Sequence, residues 1–315
     1  IANNAQILAG VNDATKLLSN KQAENLFNQL VNSDVVSGSS FANDSGNIVI
    51  TSYGQNGGTS IGGTVKNIAK NGDIEITNSG SNGVNITGIV SNAGGSTTIN
   101  NTNGAVNISG SVINRGNDEL EGLFINNRGS GVTIDSTGII DNNNRLEITN
   151  SGKDGITIAG NVTNKGNVNI KNTAGGIVIS GNLDNTEYDS NGLLAITNTG
   201  DNGILISGTV SNKANGLTQE TSIVNNNSNS GIEITNTGKI TTNDRLYINN
   251  SGEKGIKIDG NIHNVNRYAG GEYTPNIVIS NTDGGVNIKG SVYSEKAGLY
   301  INNSGSKGVD IESTG

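Results

Sequence analysis

The chain has 315 residues, with 19 Lys and Arg against 27 Asp and Glu, for a formal net charge of −8. That balance argues against nucleic acid or an anionic lipid surface as the main partner, and no apolar run approaches the roughly 20 residues that a membrane-spanning helix needs. Cys is absent, so no disulfide framework exists, and aromatic residues make up only 3% of the chain, a content that usually signals disorder but is overridden here by the regular Ile/Val spacing.

Residues 1–45 lack the periodicity of the rest of the chain. Asn12 and Asp13 are suited to cap a helix, and Ala14, Leu17, Leu18, Ala23, Leu26, Phe27, Leu30 and Val31 come after them at roughly helical spacing. The spacing predicts a helix over about 13–32, acting as a cap or spacer whose Leu/Phe side packs on the first element of the repeat region.

From Gly46 onward the pattern changes to short runs with apolar residues at every second position, separated by glycine turns. In residues 145–165, RLEITNSGKDGITIAGNVTNK, the alternation places Leu146, Ile148, Ile156, Ile158 and Val162 on one face, and Glu147 and Thr157 on the other. Three such runs make one three-sided coil. One coil cannot bury its apolar side alone, whereas stacked copies form a continuous core. Eleven coil starts lie near 46, 72, 95, 122, 145, 166, 192, 222, 245, 276 and 298. Their first strands are anchored at Ile50, Ile76, Ile99, Ile125, Ile148, Ile170, Ile196, Val224, Ile248, Ile279 and Ile301.

Two residues after every anchor but Ile50 stands an asparagine: Asn78, Asn101, Asn127, Asn150, Asn172, Asn198, Asn226, Asn250, Asn281 and Asn303. Asn67, Asn92, Asn114, Asn142, Asn164, Asn185, Asn212 and Asn264 close the third strands, with Thr242 and Ser294 in the same place in two coils. Asn tolerates bent corners and bonds the backbone that a bend frees. Stacked amides also bond one another along the axis. Both columns therefore read as structural ladders.

The coils fall into three kinds. One carries I-x-S/N-T-G at 134–138, 234–238 and 311–315; one opens with Arg-Leu at Arg145 and Arg245; one has a shorter turn at 101–110, 172–181 and 281–290. Their order gives a three-coil super-repeat with one extra coil at 192. The chain starts without Met and stops on a turn, so both ends read as cuts in a longer protein. The expected continuation is x-[IV]-x-[NT], a few Asn or Asp residues, and R-L-x-I-x-N-S-G.

Extra residues gather at one corner, after the third strand, at 115–121, 186–191, 213–222 and 265–276. In a solenoid these line one edge, where function usually lies. The 265–276 insertion puts Arg267, Tyr268, Glu272 and Tyr273 beside His263, the single histidine, and Tyr188 lies in the 186–191 insertion. Tyr gives contact area at low entropic cost and stacks on sugars or peptides. These six residues are the candidate ligand contacts.

Catalytic signatures are weak. Residues 58–62, GTSIG, match a nucleophile elbow, but that motif needs a helix after the turn and a β-like run stands there instead. Paired carboxylates for glycosidic cleavage do not align in the outward column Glu75, Thr98, Phe124, Glu147. Calcium β-roll and phosphate-loop patterns are missing. Sequons such as Asn85-Ile86-Thr87 and Asn161-Val162-Thr163 fall inside strands. No cofactor, metal or enzymatic activity is expected.

With its I-x-I-x-N-x-G and G-x-V-x-N units of about twenty residues over 46–315, the chain resembles the stalk of a filamentous-haemagglutinin-type exoprotein secreted by the two-partner route. The resemblance implies a right-handed parallel β-helix, and a secreted or bacterial cell-surface location. It also implies a role in adhesion or display toward a host or bacterial glycan or protein receptor. The Asn-Pro-Asn motif of that family's secretion domain is missing, since Pro275 follows Thr274. The expectation is an all-β, three-sided parallel β-helix of about eleven coils over 46–315, with a helical segment in 1–45. At the strand spacing, eleven coils rise ~50 Å. The expected role is a rigid stalk capable of end-to-end or lateral self-association. A glycan-binding module working through the corner insertions, and a polysaccharide-degrading β-helix enzyme, are the alternatives.

Overall fold

The computed structural model describes residues 5–8, 35–37, 41–186, 192–213, 220–243, 245–265, 277–295 and 298–312. The protein divides into two compact units, Ile1–Gly152 and Lys153–Gly315. Each is an all-β, parallel, three-sided solenoid. The helix expected over 13–32 lies outside the described residues.

In the N-terminal unit, the first sheet stacks Ala5–Leu8, Ile48–Ser52, Ile74–Asn78, Thr97–Asn101, Gly122–Asn127 and Arg145–Asn150. The second runs from Val35–Ser37 to Gly131–Ile134, and the third from Phe41–Asn43 to Ile139–Asn143. A rung thus precedes Gly46, where the sequence pattern first becomes visible. The C-terminal unit repeats the scheme, with first-sheet strands from Val168–Asn172 to Leu299–Asn303. In its second and third sheets, strands again pair with their equivalents one coil away.

Register makes the core. Ile99 pairs with Ile76 and Ile125, and Ile125 with Ile148, so like stacks on like. Ile170, Ile177, Ile179 and Leu183 are fully buried, and Val168 is 1% exposed. Each such side chain contributes roughly 1.5–3 kcal/mol by leaving water. Val309 and Ile311 continue these columns and are exposed.

The asparagine column is an amide ladder within each unit. In the first, Asn78 Nδ2 donates to Asn101 Oδ1 at 2.7 Å, Asn101 to Asn127 at 2.6 Å and Asn127 to Asn150 at 2.6 Å. In the second, the chain runs Asn172, Asn198, Asn225, Asn250, Asn281, Asn303 at 2.7–3.1 Å. The other Nδ2 proton often bonds the carbonyl two residues on, as Asn150 does to Gly152 at 2.7 Å and Asn198 to Gly200 at 2.7 Å. One side chain thus fixes its own corner and the next rung. Aligned amide dipoles along a chain of bonds also polarise one another.

One coil departs from the register expected of it. Ile196 pairs with Ile223 and Asn198 with Asn225, not with Val224 and Asn226. Ile223 and Asn225 are fully buried, whereas Val224 faces outward and Asn226 is exposed. In the C-terminal unit the third-strand column forms the expected ladder, with Asn164 donating to Asn185 at 3.1 Å and Asn185 to Asn212 at 3.0 Å, and Thr242 and Ser294 in register with Asn212 and Asn264. In the N-terminal unit Asn114 and Asn142 are in register, but Asn114 Nδ2 has no hydrogen-bond partner, so it donates no amide bond to Asn142.

In its copies at 134–138 and 234–238 the I-x-S/N-T-G signature is a corner clasp. Thr137 Oγ1 donates to Ser109 O at 2.9 Å, and Thr237 Oγ1 to Ser207 O at 2.8 Å, each reaching back one rung. Asp135 Oδ1 accepts from Thr137 Oγ1 at 2.8 Å, Thr137 N at 2.8 Å and Gly138 N at 3.1 Å. These bonds, the Thr137 hydroxyl's first, hold the Asp135 carboxyl below its ordinary value. A lowered folded value means that Asp135 stabilises above the unfolded carboxylate pKa of about 4. That contribution disappears as pH falls through the folded value. Thr137→Val should move the Asp135 titration upward in a carboxyl NMR experiment. An unmoved titration would show that the hydroxyl does not set it.

Candidate functional site

Of the six residues singled out as contacts, Tyr188, Arg267, Tyr268, Glu272 and Tyr273 lie outside the described residues. His263 is described. It sits in Asn261–Asn264 of the third sheet, facing outward and half-buried. Its neighbour one rung on is Tyr293, with ring centroids 5.4 Å apart and planes tilted by 33°. His263 Nε2 is 3.1 Å from Glu295 Oε1. An aligned reading of 261–264 against 291–294 would have located Tyr293.

Corner insertions do follow third-sheet strands. The described one, after Ser111–Asn114, is tied down. Arg115 pairs with Asp141, Asn117 Nδ2 donates to Lys70 O at 2.7 Å, and Asn117 N bonds the Glu121 carboxylate. Asn144 Nδ2 donates to Gly116 O and Asp118 O, both at 2.9 Å. Asn144 does this from φ 65°, the left-handed region, which Asn tolerates better than most residues. This insertion is a structural corner.

On the outer face of the first sheet, Glu75, Thr98, Phe124 and Glu147 stand on successive rungs. Arg145 lies over the Phe124 ring at 5.6 Å and bonds Glu147 at 2.8 Å. The two carboxylates are separated by Thr98 and Phe124 and form no pair. Ser60 of GTSIG lies within the strand Gly58–Ile61, and the strand Thr64–Asn67 comes next, so no strand–turn–helix elbow forms there. Among the described residues no group of three or more His, Asp or Glu is placed to hold a metal.

The second sheet's outer face in the C-terminal unit carries charge. Lys257 bonds Asp259 at 2.8 Å and Glu233 at 2.9 Å, and these carboxylates hold its ammonium well above the usual lysine range. Lys257 and Glu233 are solvated while the Asp259 side chain is 21% exposed, so the Lys257–Glu233 pair adds little stability.

The third sheet's outer face in this unit is concave. A shallow depression of about 380 Å³ lies over the column Thr163, Asp184, Ser211 and Thr241, flanked by Lys213 and Lys239. Register sets that column: Thr163 pairs with Asp184, Asp184 with Ser211, and Ser211 with Thr241, and the next partner is His263. Lys213 Nζ sits 3.3 Å from both Asp184 oxygens. Lys239 is exposed and makes no ion pair among the described residues. Ser211 is 4% exposed, and its hydroxyl has no hydrogen-bond partner. Such a group costs about 1–3 kcal/mol when left unmatched. Sequence reasoning passed over Ser211 because a serine on an outward position carries no signal of burial.

No family model matches the chain, and neither a curated protein nor a solved structure matches it.

Proposed function

We propose that the chain is a rigid stalk segment of a secreted or cell-surface bacterial adhesin, of the filamentous-haemagglutinin type, that spaces and displays contact groups. The observation that carries this reading is the combination of in-register isoleucine columns with amide ladders in each unit. Most of the distinctive residues serve stacking, which suits a mechanical role. A right-handed winding accords with the strong preference of parallel crossover connections for that hand. The partner on this reading is a host or bacterial glycan or protein receptor, met at the third-strand corner near His263.

The test is adhesion of beads coated with the purified chain to epithelial and bacterial cells. Replacing 266–276, an insertion in the sequence repeat, by a short Gly/Ser link is expected to leave the melting temperature unchanged, since insertions between repeated strands tolerate such change, and to abolish bead adhesion. Wild-type beads that adhere to no surface would overturn the adhesin reading. Unfolding of the replaced chain would make that segment structural and remove it as a contact site.

A further inference from the structure

We propose that the depression on the third sheet is a carbohydrate subsite. It would take a linear oligosaccharide laid across successive rungs, with a carboxylate-bearing sugar against Lys239. This goes beyond a passive stalk, which needs no ligand here.

The buried Ser211 hydroxyl is the first argument. Its residue lines the depression, and the hydroxyl is withdrawn from bulk water with no protein partner, so a turn of the side chain toward the depression lets a ligand hydroxyl supply what the protein does not. The lining is the second. Thr163, Ser211 and Thr241 each present a hydroxyl that both donates and accepts. A sugar's hydroxyls do the same, and either direction of each bond is satisfiable. Charge is the third. Asp184 and Lys213 neutralise one another, which leaves Lys239 as the cation facing a ligand. One cation beside a carboxylate suits a single acidic sugar. It does not suit phosphate or sulfate, which need several converging donors with no carboxylate among them.

Spacing is the fourth argument. Ser211 and Thr241 stand on adjacent rungs, at the strand separation of roughly 4.8 Å, close to the length of one pyranose ring in an extended chain, and Thr163 stands two rungs from Ser211 with Asp184 between them. Continuing along the column, Thr241 is followed by His263 and Tyr293, whose rings offer an apolar face for a further sugar. A peptide has no comparable foothold. The strand Thr209–Asn212 is paired on both sides, so no free strand edge is available for β-addition.

Calorimetry on the whole chain tests this with two probes, tetragalacturonate and neutral cellotetraose. The wild type is expected to bind both, the acidic one more tightly. Ser211→Val should weaken both by about tenfold, the worth of one hydrogen bond, without lowering the melting temperature. Lys239→Gln should abolish the preference for the acidic probe and leave cellotetraose binding unchanged. Ser211→Ala serves if the valine does not fold. Wild-type chain that binds neither sugar, or Ser211 variants that fold and bind like wild type, would overturn the subsite. A Lys239→Gln chain that keeps its preference would overturn the assignment of the acidic sugar. None of these results bears on bead adhesion through 266–276, so the stalk reading stands or falls separately.

Discussion

Gly255→Ala should disrupt its rung, with a loss of more than about 4 kcal/mol, the range reserved for severe backbone or core damage. Two effects combine. Gly255 has φ +75°, where an L side chain costs about 1–2 kcal/mol. An added Cβ would also lie 2.7 Å from the Gly285 nitrogen and closer still to its carbonyl oxygen. That oxygen accepts from Ile256 N at 2.9 Å, so it can move only by breaking a bond between rungs. The control separates the contact from the backbone strain. At Gly116 the added Cβ would meet Glu121 Cβ at 2.8 Å in a buried corner, so the cleaner comparison is Gly308→Ala, at φ +74° with nothing within 4 Å of an added Cβ, which should cost only the about 1–2 kcal/mol of the left-handed backbone. Solenoid rungs couple chiefly to their neighbours. Hydrogen exchange should therefore show lost protection first at Ile256 and Ile258 and in the rungs beside them. A Gly255→Ala chain that melts like wild type would show that the turn is loose enough to absorb a methyl group.

The three-sided stack was legible because its two causes are local. Period-2 alternation selects the buried face of each run, and a repeating Ile or Asn at the same place in every coil can lie in register only if the coils stack. Ile99, Ile125 and Ile148 show this directly. The rung formed by Ala5–Leu8, Val35–Ser37 and Phe41–Asn43 was not legible. Its strands are short, and the first two are separated by a long stretch without alternation. At the site, His263 was legible as the single histidine beside an insertion. Its stacking on Tyr293, and the isolation of the Ser211 hydroxyl, depend on what neighbouring rungs bring, and no property of the serine itself announces it.

The misread coil provides the second large effect. Residues 222–227 read Ser-Ile-Val-Asn-Asn-Asn, so two registers one residue apart both place an aliphatic residue two positions before an asparagine. A one-residue slip exchanges the buried and solvent faces. What decides between them is the rest of the strand: with Ile223 inward, Thr221 and Asn225 are also inward, at 1% and 0% exposure. Asn225 then accepts from Asn198 Nδ2 at 3.1 Å and from the buried Ser230 hydroxyl at 3.2 Å, and donates to Asn250 Oδ1 at 2.8 Å. Asn225→Leu removes these three bonds, and the one its Nδ2 donates to Asn227 O at 3.3 Å, while keeping similar bulk. Asn198 retains its bond to Gly200 O, but Ser230 and the Asn250 oxygen each lose a partner away from water, so the expected loss is about 2–4 kcal/mol. Asn226→Leu alters an exposed side chain and should stay within about 0.5 kcal/mol of wild type. Denaturant melts of the two variants side by side decide the matter. If Asn226→Leu is the more damaging, the ladder passes through Asn226 and the one-residue correction is wrong. If neither is destabilised, the amide ladder contributes nothing to holding the rungs together.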